Sequence, residues 1–127
     1  MNKLSDGVFK HFPEIRETSK DDEDLDYILI ANLVFWLETV ETTNEIIKRV
    51  SNFNSWCISQ PRSKGSDDIY TVLVVGFYEG LIESKKTRKL ATKIIPKEIL
   101  VKNKEHWVNR LGEKTFNHII QEYKLNA

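Results

Sequence analysis

Leu25-Asp26-Tyr27-Ile28-Leu29-Ile30-Ala31-Asn32-Leu33-Val34-Phe35-Trp36-Leu37 decides the fold. Eleven of its thirteen residues are apolar or aromatic, and only Asp26 and Asn32 interrupt. A helix apolar on nearly all sides belongs in the middle of a bundle. Thr18 or Ser19 and the carboxylates Asp21 to Asp24 stand before it as a start signal, because acids complement the positive end of a helix. The expectation is a central helix over residues 22–40, with Tyr27, Ile30, Leu33, Val34 and Leu37 on its inward stripe.

The rest of the chain also reads as helices. Ser5 or Asp6 opens a short element, and Pro13 interrupts it and starts a second. Thr42 or Thr43 opens the next, where Ile46, Val50, Phe53 and Cys57 recur at helical spacing. Residues 60–66 contain Pro, Gly and Ser together and form the one clear loop. Residues 69–78 suit a buried strand by composition. The spacing of Tyr70, Leu73, Val74, Phe77 and Leu81 favours a helix, with Gly76 and Gly80 allowing another helix to approach closely. Leu90, Ile94 and Ile95 form a short helix ending at Pro96. Another runs from there to Leu111, where Gly112 suits a helix end. A last one carries Phe116, Ile119, Ile120 and Tyr123. The fold expected is all-α, one domain over residues 1–127, a bundle of about five to seven helices.

Composition agrees. The chain has 127 residues, 40% hydrophobic, with only five Gly and three Pro, too few for a turn-rich sandwich or barrel. Cys57 is the single cysteine, so no internal disulfide forms. The first residues lack the apolar run of a signal peptide, and no apolar stretch approaches the ~20 residues of a membrane span. A cytoplasmic protein without membrane attachment is expected.

The net charge of zero conceals a split. Residues 1–60 carry six Lys/Arg against eleven Asp/Glu, and residues 61–127 carry thirteen against eight. Such a dipolar chain points to charged partners rather than to chemistry. No nucleotide-binding glycine loop, nucleophile elbow or metal-ligand spacing is present. His118 and Glu122, and Glu79 and Glu83, share helix faces but read as solvated groups. Cys57 reads as a buried thiol. No catalytic residue, metal or cofactor is expected.

The strongest site candidate is the acidic run Glu17, Asp21, Asp22, Glu23, Asp24 and Asp26. A helix dipole accounts for two or three acids there, not six. The run reads either as a solvated helix end or as a docking patch for a basic partner. Trp36 reads as core. Trp56 and Trp107 have polar neighbours and read as core margin or as interface anchors. The opposite patch comprises Lys85, Lys86, Arg88, Lys89, Lys93, Lys97, Lys102 and Lys104. It could hold phosphates, but it lacks stacking aromatics and is nearly devoid of arginine.

A small helical chain with an acidic patch, one cysteine and no enzyme motif resembles bacterial immunity proteins encoded beside contact-dependent growth inhibition toxins. Phe12-Pro13-Glu14-Ile15, residues 72–81 and Leu111-Gly112-Glu113-Lys114 look like segments of small bacterial helical domains. The resemblance implies one-to-one binding of a cognate toxin domain, a nuclease with a basic cleft, blocking its active site or substrate path. Glu17, Asp21, Asp22, Glu23, Asp24, Asp26 and the Trp56 region would make the contact. The alternative is a nucleic-acid-binding or regulatory module using the lysine-rich 85–104 face.

Overall fold

The computed structural model describes residues 3–62 and 68–125, and all regular structure among them is helical. Part of the expected 60–66 loop therefore lies outside the described residues. Nine helices form among the described residues: α1 (Leu4–His11), α2 (Arg16–Ser19), α3 (Asp26–Thr39), α4 (Asn44–Ile58), α5 (residues 69–83), α6 (Arg88–Ile94), α7 (Lys97–Lys102), α8 (Lys104–Leu111) and α9 (Glu113–Leu125). Short 3₁₀ turns at Pro13–Ile15 and Lys20–Asp22 flank α2.

Local chemistry sets many of the boundaries. Asp6 accepts the Lys3 backbone N–H at 2.9 Å and fastens the start of α1. The Thr43 hydroxyl accepts the Ile46 N–H at the start of α4, and Asp68 accepts the Thr71 N–H at the start of α5. Gly112, at φ 89°, ends α8. The count exceeds the five to seven expected partly because residues 97–111 form two helices. The Asn103 side chain donates to the Ile99 carbonyl at 2.9 Å, and such local bonding competes with helix continuation.

The ambiguous 69–78 segment is helical, and Leu73–Tyr78 within it is π-helical. Val72 and Phe77, and Leu73 and Tyr78, lie five residues apart, the period of π hydrogen bonding, and all four are buried. Leu81 and Ile82 continue the buried face. α5 packs against α3, α4 and α6, so it occupies the interior.

The expectation of a central helix over 22–40 is corrected in two ways. α3 begins at Asp26, because Lys20–Asp22 closes as a 3₁₀ turn. Only one side of α3 is buried, through Leu29, Ile30, Leu33, Val34 and Leu37. Gly76 and Gly80 seat that side against α5: a Cβ on Gly80 would lie 3.0 Å from Val34 Cγ2, and one on Gly76 would lie 3.3 Å from Ile30 Cγ2.

Phe53 joins the aromatic interior, with ring centroids 5.6 Å from Phe12 and 5.4 Å from Phe77, both edge-on. Arg49 locks α4 to the end of α1. Its Nη2 donates to the His11 carbonyl at 2.8 Å, and its Nη1 donates to Glu14 at 2.8 Å. The guanidinium also lies over Phe12, 5.2 Å from the ring centroid.

Candidate partner-binding face

The outer side of α3 is apolar and uncovered. Leu25 is 50% exposed, Tyr27 40%, Ile28 49% and Phe35 68%. Tyr27, assigned to the inward stripe from spacing, lies at its edge: its ring stands beside Gly76 of α5 yet is exposed. Large apolar groups grouped on one helix face and rimmed by polar residues mark contact surfaces.

Two grooves flank Phe35. One, about 380 Å³, lies between α3 and residues 15–22, lined by Ile15, Thr18, Ser19, Asp22, Trp36 and Thr39 among others. The Asn32 amide crosses it, donating to Ser19 Oγ at 3.2 Å and to Asp22 Oδ2 at 3.1 Å. That pair of bonds holds the acidic segment beside the apolar face. The second groove, about 450 Å³, runs between α3 and α5 from Tyr27 and Gly76 to Glu38 and Glu83.

The acidic run meets this face at the N-terminal end of α3. Glu17 pairs with Lys20 at 3.6 Å, and Asp24 pairs with Lys3 at 3.2 Å. All four side chains are mostly exposed, and such surface pairs exchange readily with a partner's charges. The Asp24 hydrogen bond raises the Lys3 pKa. Asp21 and Glu23 are exposed and pair with no cation among the described residues. Asp26 is half-buried; desolvation, then the charge of Asp24, raises its pKa. The six carboxylates therefore remain a net anionic rim.

Trp56 lies on α4 as core margin. Its indole stacks on Phe53 at 6.4 Å between centroids and covers Gly7. Trp107, expected from its neighbours to be partly exposed, is buried. Glu79 and Glu83 are not a solvated edge. Arg110 of α8 bridges both, at 2.5 Å from Glu79, and His106 lies 3.8 Å from Glu79. His118 does sit at the surface, 3.5 Å from Glu122.

The lysine-rich patch is spread over the α5–α6 turn and over α6, α7 and α8. Its one arginine is committed internally: Arg88 Nε donates to the Ile82 carbonyl at 2.7 Å. Among the described residues, no group of three His, Cys, Asp or Glu side chains is placed to hold a metal. Nor is any helix there long and apolar enough to cross a membrane.

Sequence reasoning found the carboxylates and missed the apolar residues they border, Leu25, Ile28 and Phe35, as well as Glu38 in the last turn of α3. The available signal was the near absence of a polar side in residues 25–37. A helix without a polar side must be buried all round or turn an apolar side outward. No family model, curated protein or solved structure matches this chain.

Proposed function

We propose that this chain is a non-catalytic inhibitor that binds and neutralises a cognate secreted bacterial toxin, a nuclease. It does so by laying the outer face of α3 and the 17–26 carboxylates over the toxin's active site or substrate path. One observation carries the reading: Phe35, 68% exposed, stands between two grooves on a helix whose N-terminal end is rimmed by acids. An apolar centre with a charged rim is the anatomy of protein interfaces. The fourteen residues of α3 give this face a length of about 21 Å. The rim selects a cationic partner, and a nuclease cleft is cationic because it holds phosphates.

The test is to look beside this gene for a reading frame that ends in a nuclease toxin domain and to titrate that domain calorimetrically and kinetically. Phe35→Ala is expected to weaken binding by about 2 kcal/mol, as central aromatic anchors do. Reversing Asp21, Glu23 and Asp24 to Lys should slow association at least ~10-fold at low salt and less at high salt. Binding that ignores both changes would remove this face from the mechanism. Absence of binding, with salt-sensitive retention of RNA that is lost when Lys85, Lys86 and Lys89 become Glu, would replace the proposal with the nucleic-acid reading.

A further inference from the structure

We infer that the groove between α3 and α5 receives an arginine side chain of the partner. This rests on the reading of the α3 face as the inhibitory surface and names what its second groove recognises. The groove is about 450 Å³, and its walls are apolar for most of their length: Tyr27, Ala31, Val34 and Phe35 from α3, with Gly76 and Gly80 on α5. The two helices run parallel here, since Ile30 and Tyr27 face Gly76 while Val34 faces Gly80. Both therefore end at the same end of the groove, at Glu38 and at Glu83-Ser84. Two negative helix termini and two carboxylates gather there, a setting that attracts a cation.

The chain places cations at only one of these termini; at the end of α3 the Thr39 hydroxyl donates to the Trp36 carbonyl at 2.7 Å. At the end of α5, Arg88 donates to the Ile82 carbonyl at 2.7 Å and to the Glu83 carbonyl at 3.4 Å. Arg110 pairs with the Glu83 carboxylate. The end of α3 has no basic residue in its last turn, and no cation among the described residues pairs with Glu38. The chain answers one helix end with arginines and leaves the adjacent, parallel one for a visitor.

The shape selects a long cationic side chain. Glu38 lies about 6 Å along the helix axis from Val34, so a guanidinium on Glu38 lays its aliphatic stem along Val34 and Gly80. Arginine fits better than lysine, because its planar head pairs with a carboxylate through two parallel bonds and stacks on aromatic faces such as Phe35, one turn before Glu38.

The probe is n-butylguanidinium, titrated into the full chain and followed by amide chemical shifts, with the neutral isostere n-butylurea alongside. Butylguanidinium is expected to shift Ala31, Val34, Gly76, Gly80 and Glu38. Butylurea should bind about tenfold more weakly, and Glu38→Gln should erase that preference. An unchanged melting temperature for Glu38→Gln separates lost recognition from lost fold. Equal binding of the two probes, or shifts confined to Asp21–Asp24, overturns the inference. A toxin complex indifferent to Glu38→Gln, with no seat for butylguanidinium, counts against the arginine site alone. Butylguanidinium seated in the groove of a chain that binds no toxin counts against the inhibitor reading alone.

Discussion

Gly7→Ala is expected to destabilise the fold although it replaces a poor helix former with the best one. Gly7 lies inside α1, where alanine by itself would add about 1 kcal/mol. The new Cβ, however, would stand 2.2 Å from Trp56 Cζ3, 2.4 Å from Cε3 and 2.7 Å from Cη2. Contacts that short force the indole to move or α1 to lift from α4. Overpacking of this kind costs about 1–3 kcal/mol. If the ring swings out, exposing ~100 Å² of apolar surface costs about 2.5 kcal/mol. The net expectation is a loss of about 1–2 kcal/mol, measured as a lower urea midpoint at constant slope. The decisive measurement is a double-mutant cycle with Trp56→Ala. Removing the ring removes the clash, so Gly7→Ala should turn neutral or stabilising in that background. If it destabilises equally with and without the indole, the close packing of α1 on α4 through Trp56 is refuted.

The outer and inner sides of α3 should respond oppositely: Leu33→Ala, on the buried side, is expected to cost about 2–5 kcal/mol in urea denaturation, whereas Phe35→Ala should stay within about 0.5 kcal/mol. His11 supplies a pH signature. Desolvation, then the charges of Lys10 and Arg49, lower its pKa, and its buried Nε2 has no hydrogen-bond partner. The folded state therefore binds the proton less readily than the unfolded one. Stability should be complete above the unfolded value of about 6.5 and fall as pH drops below it, and His11→Phe should flatten that slope between pH 5 and 7. Burial pushes the Cys57 thiol up to about 12, so at pH 8 an aromatic disulfide reagent should label it only as fast as the chain unfolds, accelerating with urea.

What the sequence disclosed and what it hid divide along a physical line. Interactions between near neighbours were legible: a cap at Thr42 or Thr43, which falls on Thr43, the Gly112 stop, and a spacing in residues 69–83 that favoured a helix over the strand their composition also allowed. The close approach at Gly76 and Gly80 was legible too, because a missing Cβ has one obvious use. The seating of α3 was legible in part: helical spacing placed Ile30, Leu33, Val34 and Leu37 inward, and all four are buried, but it put Tyr27 with them and left out Leu29. With apolar residues around most of the circumference of residues 25–37, the exact edge of the buried side depends on Gly76 and Gly80, some forty residues downstream. The acids from Asp21 to Asp24 were found as a cluster, but Asp22 to Asp24 were placed in the first turn of the helix, which instead starts at Asp26. Asn32, bonding back to Ser19 and Asp22 from the second turn of α3, helps hold them in a turn beside it. A long-range side-chain bond of that kind has no periodicity to betray it.

The exposed side of α3 is hard to account for by folding alone. The core closes through Leu29, Ile30, Leu33, Val34 and Leu37 without help from Leu25, Ile28 or Phe35. Polar residues at those three positions would keep the helix and remove an aggregation hazard. The neighbouring chemistry points the same way. Carboxylates that repel one another along residues 17–26 are tolerated beside this face, while Arg49, Arg88 and Arg110 are spent on internal partners. Apolar residues left in water, and carboxylates beside them of which only Glu17 and Asp24 meet a cation among the described residues, are both unfavourable in the isolated chain. A cationic surface with an apolar centre, the partner proposed above, would relieve both at once and so would account for two features that the fold by itself does not require.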